Sequence, residues 1–255
     1  EIKFLEELPE SYEQAMQVYD QWTVDYYKDT EYTPTDVDKN AREEIASSAC
    51  KRHDGKYAAL IRNTPWGKNS VSFKMNPDPD LFSDKGIPST GGNAMEFVDS
   101  WLKKYPKTDG IFADSLGANW PALLNYREDH FKYADYPLTF DRAGRLALHN
   151  QTSHYEFVKA LRDKLKAQGR SILANGVYAY LTRGEYSEHY RADYPKSRIK
   201  VSRFFLASLV DVATSEAGIR AGKERLQDVR THMGPRPYII FNYDWQDKNE
   251  VAELF

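Results

Sequence analysis

Short apolar runs alternate with longer stretches whose apolar residues recur at helical spacing. The run Ile111, Phe112, Ala113 is too short for a helix and reads as a fully buried strand that delivers Asp114 at its C-terminal end. Ahead of it, residues 94–105 have helical spacing and stop at Pro106. Further upstream, Tyr12, Met16, Tyr19 and Trp22 fall on one helical face, 36–50 predicts a second helix, and 57–62 and 70–75 predict strands. Downstream, a helix over 153–168 is expected, with Ser153 and Glu156 as a capping box and Gly169 just past its end. Three further strands follow, each after a helix-like stretch. Residues 171–174 deliver Asn175, 209–213 deliver Glu216, and 238–241 deliver Asn242 and Asp244.

Strands of four or five residues alternating with amphipathic helices predict an α/β protein with a parallel sheet covered on both faces. An open doubly wound sheet and a (β/α)8 TIM-type barrel both fit that alternation. No strand is followed by a glycine-rich phosphate loop, whereas polar residues finish the strands at Asn76, Asp114, Asn175, Glu216 and Asp244. A ring of polar strand ends is what a barrel supplies, so the barrel is the expected fold. These ends are fewer than the eight strands a closed barrel needs. The chain starts at Glu1 and ends in a helix-like stretch at Phe255. Residues 1–255 are therefore expected to form a single catalytic-type barrel domain, incomplete in this chain and truncated at both ends, with a missing domain or a second chain completing it. Residues 116–151 read as one oversized loop covering the site, far beyond the usual ~2–6 residues after a barrel strand.

Composition narrows the chemistry. The net charge is −3, from 35 basic and 38 acidic residues, which leaves no global basic field for nucleic acid. No apolar run is long enough to span a membrane. Aromatic residues make up 14%, with 18 Tyr and 5 Trp, a surplus suited to stacking on sugars as well as to core packing. The single cysteine, Cys50, excludes an internal disulfide and reads as a buried thiol. The histidines form no HxH or HExxH pair, so neither a metal nor another cofactor is expected. Asp78, Asp80 and Asp84 lack the glycine of a calcium loop and read as a solvated turn.

Glycosidic cleavage needs two carboxylic groups on opposite sides of a sugar ring, and Asp114 and Glu216 end strands two apart in chain order. Asp211, in the middle of its expected strand, reads as a buried paired acid or one pointing into the barrel. Amides and aromatic faces at other strand ends, Asn175, Asn242 and Trp245, have the chemistry of sugar contacts. Trp120 and Arg127 in the long loop, Asp78 in the proline-rich segment after Asn76, and the strand-end Asp244 complete the expected substrate-binding set.

The segments Asp109-Gly110-Ile111-Phe112-Ala113-Asp114-Ser115-Leu116, Asn125-Tyr126-Arg127-Glu128-Asp129-His130-Phe131, Ala134-Asp135-Tyr136-Pro137-Leu138-Thr139-Phe140 and Ala174-Asn175-Gly176 resemble bacterial glycoside-hydrolase-like barrel proteins. More distantly, the order of strand-end acids is similar to the α-galactosidase clan of retaining glycosidases. That resemblance implies Asp114 as nucleophile at strand four and Glu216 as acid/base at strand six, where the clan usually has Asp. It implies a carbohydrate substrate, with secreted or periplasmic placement if the substrate is a polysaccharide. A non-catalytic carbohydrate-binding barrel is the alternative. A barrel aldolase or isomerase is disfavoured, because no strand ends in a Lys placed for Schiff-base chemistry.

Overall fold

A computed structural model describes residues 2–3, 36–64, 67–114, 116, 124–141, 143–175, 206–215 and 234–240. It divides into two compact units, 1–97 with 124–153 and 98–123 with 154–255. The expected helices over 9–29 and 222–232 lie outside the described residues.

In the first unit, strand β1 (Ile2–Lys3) pairs antiparallel with β2 (Ala59–Thr64), and β2 with β3 (Gly67–Phe73). The two expected strands are thus antiparallel neighbours with only two residues between them rather than parallel barrel staves. Helix α1 (Asp36–Ser48) ends where Ser47 turns its hydroxyl back onto the Glu44 carbonyl. Ile45, Ala49 and Tyr57 form its buried cluster, with Phe73 and Met75 against them. The following residues, 49–51, are extended and bridge to Met75 on one side and Tyr57 on the other.

Helix α2 (Thr90–Lys104) starts four residues ahead of the sequence expectation. Ser89 explains the early start: its buried hydroxyl accepts the Gly92 amide at 3.1 Å, an N-cap. The helix runs out at Tyr105, whose amide still reaches the Trp101 carbonyl, and Pro106 prevents continuation.

The second unit carries a four-stranded, wholly parallel sheet. β4 (Gly110–Ala113) lies at one edge, and the order of the strands in space follows their order in the chain. Between β4 and the next parallel strand, the expected long loop is instead built structure of the first unit. Strands β5 (Leu124–Asn125), β6 (Thr139–Phe140) and β7 (Leu146–His149) make a small antiparallel sheet with β7 in the middle, and Glu128–Tyr133 is a 3-10 helix. Its hairpin turn is held by Asp141, whose carboxylate accepts the amides of Ala143 and Arg145 and the Tyr126 hydroxyl.

Helix α3 (Asn150–Lys166) begins three residues before the expected Ser153. The predicted capping box therefore does not form, because Ser153 already lies inside the first turns and its buried hydroxyl has no hydrogen-bond partner. Val158, Leu161 and Leu165 form the buried stripe of α3, at most 2% exposed.

The remaining parallel strands are β8 (Ser171–Asn175), β9 (Val212–Ser215) and β10 (Tyr238–Ile240). Residues 206–209 ahead of β9 are helical. Pairing places Ala113 beside Ala174, Ala174 beside Ala213 and Ala213 beside Tyr238. β9 begins after Asp211 rather than around it. That acid caps the sheet start instead, its Oδ2 accepting the Ile172 amide at 2.9 Å. One sheet face is closed, with Ile172, Ala174 and Ala213 no more than 1% exposed. The other keeps Phe112 48% and Ile239 42% exposed, so β4 is not the fully buried strand its apolar run suggests. Within the described sheet it is an edge strand with a single neighbour.

Candidate active site at the ends of the parallel strands

Polar side chains gather where the parallel strands end. Asp114 follows Ala113 and so falls level with Asn175, which pairs with Thr214. Asn175 is 5% exposed and donates from Nδ2 to Asp114 Oδ1 at 2.8 Å. The Leu116 amide donates to the Asn175 carbonyl at 3.0 Å, which keeps Leu116 against the end of β8. Thr214, fully buried, turns its hydroxyl to the Ala174 carbonyl at 3.4 Å. Neighbouring strands lie ~4.8 Å apart, so a carboxylate, an amide and a hydroxyl form a short polar row across three strands.

The row has a definite chemistry. The Asn175 amide immobilises one oxygen of an otherwise exposed carboxylate, and Asp114 Oδ2 has no partner among the described residues. A carboxylate fixed at one oxygen and open at the other can act as a nucleophile, a base or a hydroxyl acceptor. Asp114 and Asn175, both singled out from sequence, are thereby brought together. Thr214 was missed because it ends an apolar run, and only the register of β8 with β9 reveals it.

Asp78 and Arg127 belong to the first unit and are engaged there. Asp78 is 2% exposed rather than solvated, and its Oδ1 accepts the Asp80 amide at 2.9 Å. Arg127 grips Asp129 through two nitrogens, at 2.8 and 3.0 Å, and donates from Nη1 to the Ala49 carbonyl at 3.1 Å. Burial would raise the Asp129 carboxyl, but the Arg127 guanidinium outweighs it and holds that carboxyl below the usual range.

His130 sits beside them, fully buried. Its Nε2 donates to the Ser47 carbonyl at 2.8 Å, and its Nδ1 accepts the Asn125 amide at 2.9 Å and the Asn76 amide at 3.3 Å. Burial, reinforced by the nearby Arg127 charge, pushes its pKa down to about 3, so the ring is neutral. In turn, Asn125 Oδ1 accepts the backbone amides of Lys51 and Arg127. The segment from Asn125 to His130 supplies most of this network, but its partners Ser47, Lys51 and Asn76 lie far away in the chain, so no local spacing reveals it. It fastens backbone segments together. Cys50 is likewise sequestered, burial pushing its thiol up to about 12, with Asn150 Oδ1 at 3.5 Å.

Among the described residues, no group of three or more His, Cys, Asp and Glu side chains converges to hold a metal ion. Glu216, Trp120, Asn242, Asp244 and Trp245 lie outside the described residues. No family model matches the chain, and neither does any curated protein or solved structure.

Proposed function

We propose that the chain is a glycoside hydrolase built on a (β/α)8-type barrel, acting on an oligo- or polysaccharide through Asp114 and Glu216. The observation that carries this is the Asp114–Asn175 pair at the C-terminal ends of adjacent parallel strands. Two features of the sheet support it. In a barrel each strand is laid beside the previous one, whereas an open doubly wound sheet reverses its order at a switch point. The described sheet runs β4, β8, β9, β10 without reversal. Catalytic groups of barrel enzymes also stand at the C-terminal strand ends.

In the proposed retaining mechanism, Asp114 Oδ2 attacks the anomeric carbon while Glu216 protonates the departing glycosidic oxygen. Water then breaks the ester with Glu216 as base, and Asp114 leaves as a carboxylate. Asn175 holds the nucleophile so that its open oxygen faces the substrate. Asn242, Asp244, Trp245 and Trp120 are assigned to hydroxyl and ring contacts. Asp78 and Arg127, engaged in the first unit, carry least of the reading.

The test is a screen of the wild-type chain against aryl glycosides and polysaccharides, beside Asp114→Asn and Glu216→Gln. Turnover is expected in the wild type, with a loss of about 10³-fold or more in Asp114→Asn. A crystal structure should place the two carboxyl groups ~5–5.5 Å apart. Carbohydrate binding without turnover by the wild type would replace the enzyme with a binding barrel, and a carboxyl separation well beyond ~9.5 Å would remove Glu216 from the pair.

A further inference from the structure

At the opposite end of the same parallel sheet, where its strands begin, charge is segregated against the chain's slightly acidic average. The α2–β4 turn and the α3–β8 turn lie side by side, because Gly110 pairs with Ser171 and Arg170 donates from Nη2 to the Pro106 carbonyl at 3.0 Å. An ion pair between Lys164 and Asp99, at 2.5 Å, ties the two preceding helices together. These turns and helix ends carry Lys103, Lys104, Lys107, Lys166 and Arg170, and no carboxylate is paired with them among the described residues. A helix C-terminus attracts cations, which accounts for Lys103, Lys104 and Lys166. Lys107 lies beyond the helix end, so the dipole does not call for it, whereas Arg170 is held on the Pro106 carbonyl.

Beside Lys104, on the same flank of α2, stand two aromatic rings. Trp101 and Tyr105 are 41% and 42% exposed, their centroids 4.6 Å apart, and the Lys104 ammonium lies 5.3 Å from the Tyr105 ring. The geometry points to a docking surface for an anionic polysaccharide, distinct from the strand-end row. Ring faces suit the C–H face of a sugar, and the ammonium groups suit carboxylates carried along the polymer. Duplex DNA fits less well. It presents a charge every ~1.7 Å, and Asp99, Asp109, Asp163 and Asp211 border this patch.

The surface does not depend on catalysis at Asp114, so the two assignments fail separately. The test is affinity electrophoresis of the full chain through gels containing polygalacturonate, dextran or no polymer, with retention on double-stranded DNA measured in parallel. Retardation by polygalacturonate alone is expected, weakening steeply above ~0.15 M salt as the Debye length falls below ~8 Å. Lys104→Glu with Lys107→Glu should weaken it by about tenfold or more, and Trp101→Ala by a smaller factor. Lys85→Glu, an equal change of charge per site in the other unit, should leave it unchanged. No retardation of the wild type would overturn the assignment. So would undiminished retardation of the double variant, or equal retention on DNA.

Discussion

His130 shows how much one side chain can carry without doing chemistry. Its ring accepts from two asparagine amides and donates to a backbone carbonyl, so replacing it strands several buried partners at once. His130→Ala should cost roughly 3–5 kcal/mol by denaturant titration, the sum of unmet polar groups and a cavity. The pH dependence follows from the direction of its shift. The folded pKa, about 3, lies below the ~6.5 of an unfolded histidine, so unfolding takes up a proton. The ring's contribution is complete above pH ~6.5 and is lost as pH falls toward about 3. Denaturation midpoints measured between pH 7 and pH 4 should therefore fall, and the slope should flatten in His130→Ala. An unchanged slope would mean that the ring takes up its proton in the folded protein as it does in the unfolded chain.

At the scale of elements, Gly110 decides how closely β4 approaches β8. A Cβ placed there would lie 2.3 Å from the Ser171 carbonyl oxygen, and that oxygen is backbone with no freedom to swing away. Gly110→Ala should destabilise the second unit by about 2–4 kcal/mol, as overpacking against a fixed neighbour does, and lower the melting temperature. Alanine at Gly169 meets no such contact but sits at a positive φ of 67°, so its smaller cost would come from backbone strain alone.

These elements also mark what could be read from the chain. The parallel strands were legible because apolar runs bounded by polar ends are a local signal. The start of α2 lies earlier than the spacing suggests because the Ser89 cap is followed by Gly91 and Gly92, poor helix formers, and that of α3 because Asn150 acts through a contact formed in the fold. Asn150 Nδ2 donates to the Met75 carbonyl, 75 residues away, which no local window contains. The antiparallel strands of residues 124–149 were read as loop because two are only two residues long, below the length at which alternation can be recognised. At the site, Asp114 and Asn175 were visible as strand ends, but their hydrogen bond depended on the register.

Across the whole molecule, each compact unit is assembled from separated stretches of chain. The parallel sheet takes β4 from the first half and β8, β9 and β10 from the second. A chain ending at Ser153 would keep β4 and remove every parallel partner it has in the described sheet. In that fragment the amides of β4 should exchange with solvent at the rate of an unstructured chain, whereas those that bond to β8 in the full chain should be protected. Hydrogen-exchange mass spectrometry separates the two cases. Protection of β4 in the fragment would mean that its neighbour lies elsewhere.

The same separation sets a timetable for synthesis. Ribosomes deliver ~5–20 residues per second, so β4, complete at Ala113, waits several seconds for β8 to begin at Ser171. During that interval the half-exposed Phe112 and the unpaired edge of β4 are offered to whatever is nearby, including the same segment on an adjacent nascent chain. The α2–β4 turn is made in the same period, and its Lys103, Lys104 and Lys107 flank the apolar run before any partner strand exists. Like charges flanking a sticky strand discourage self-association. These lysines would then guard the newborn chain during translation, and neutralising them should increase aggregation during synthesis more than it lowers the stability of the finished protein.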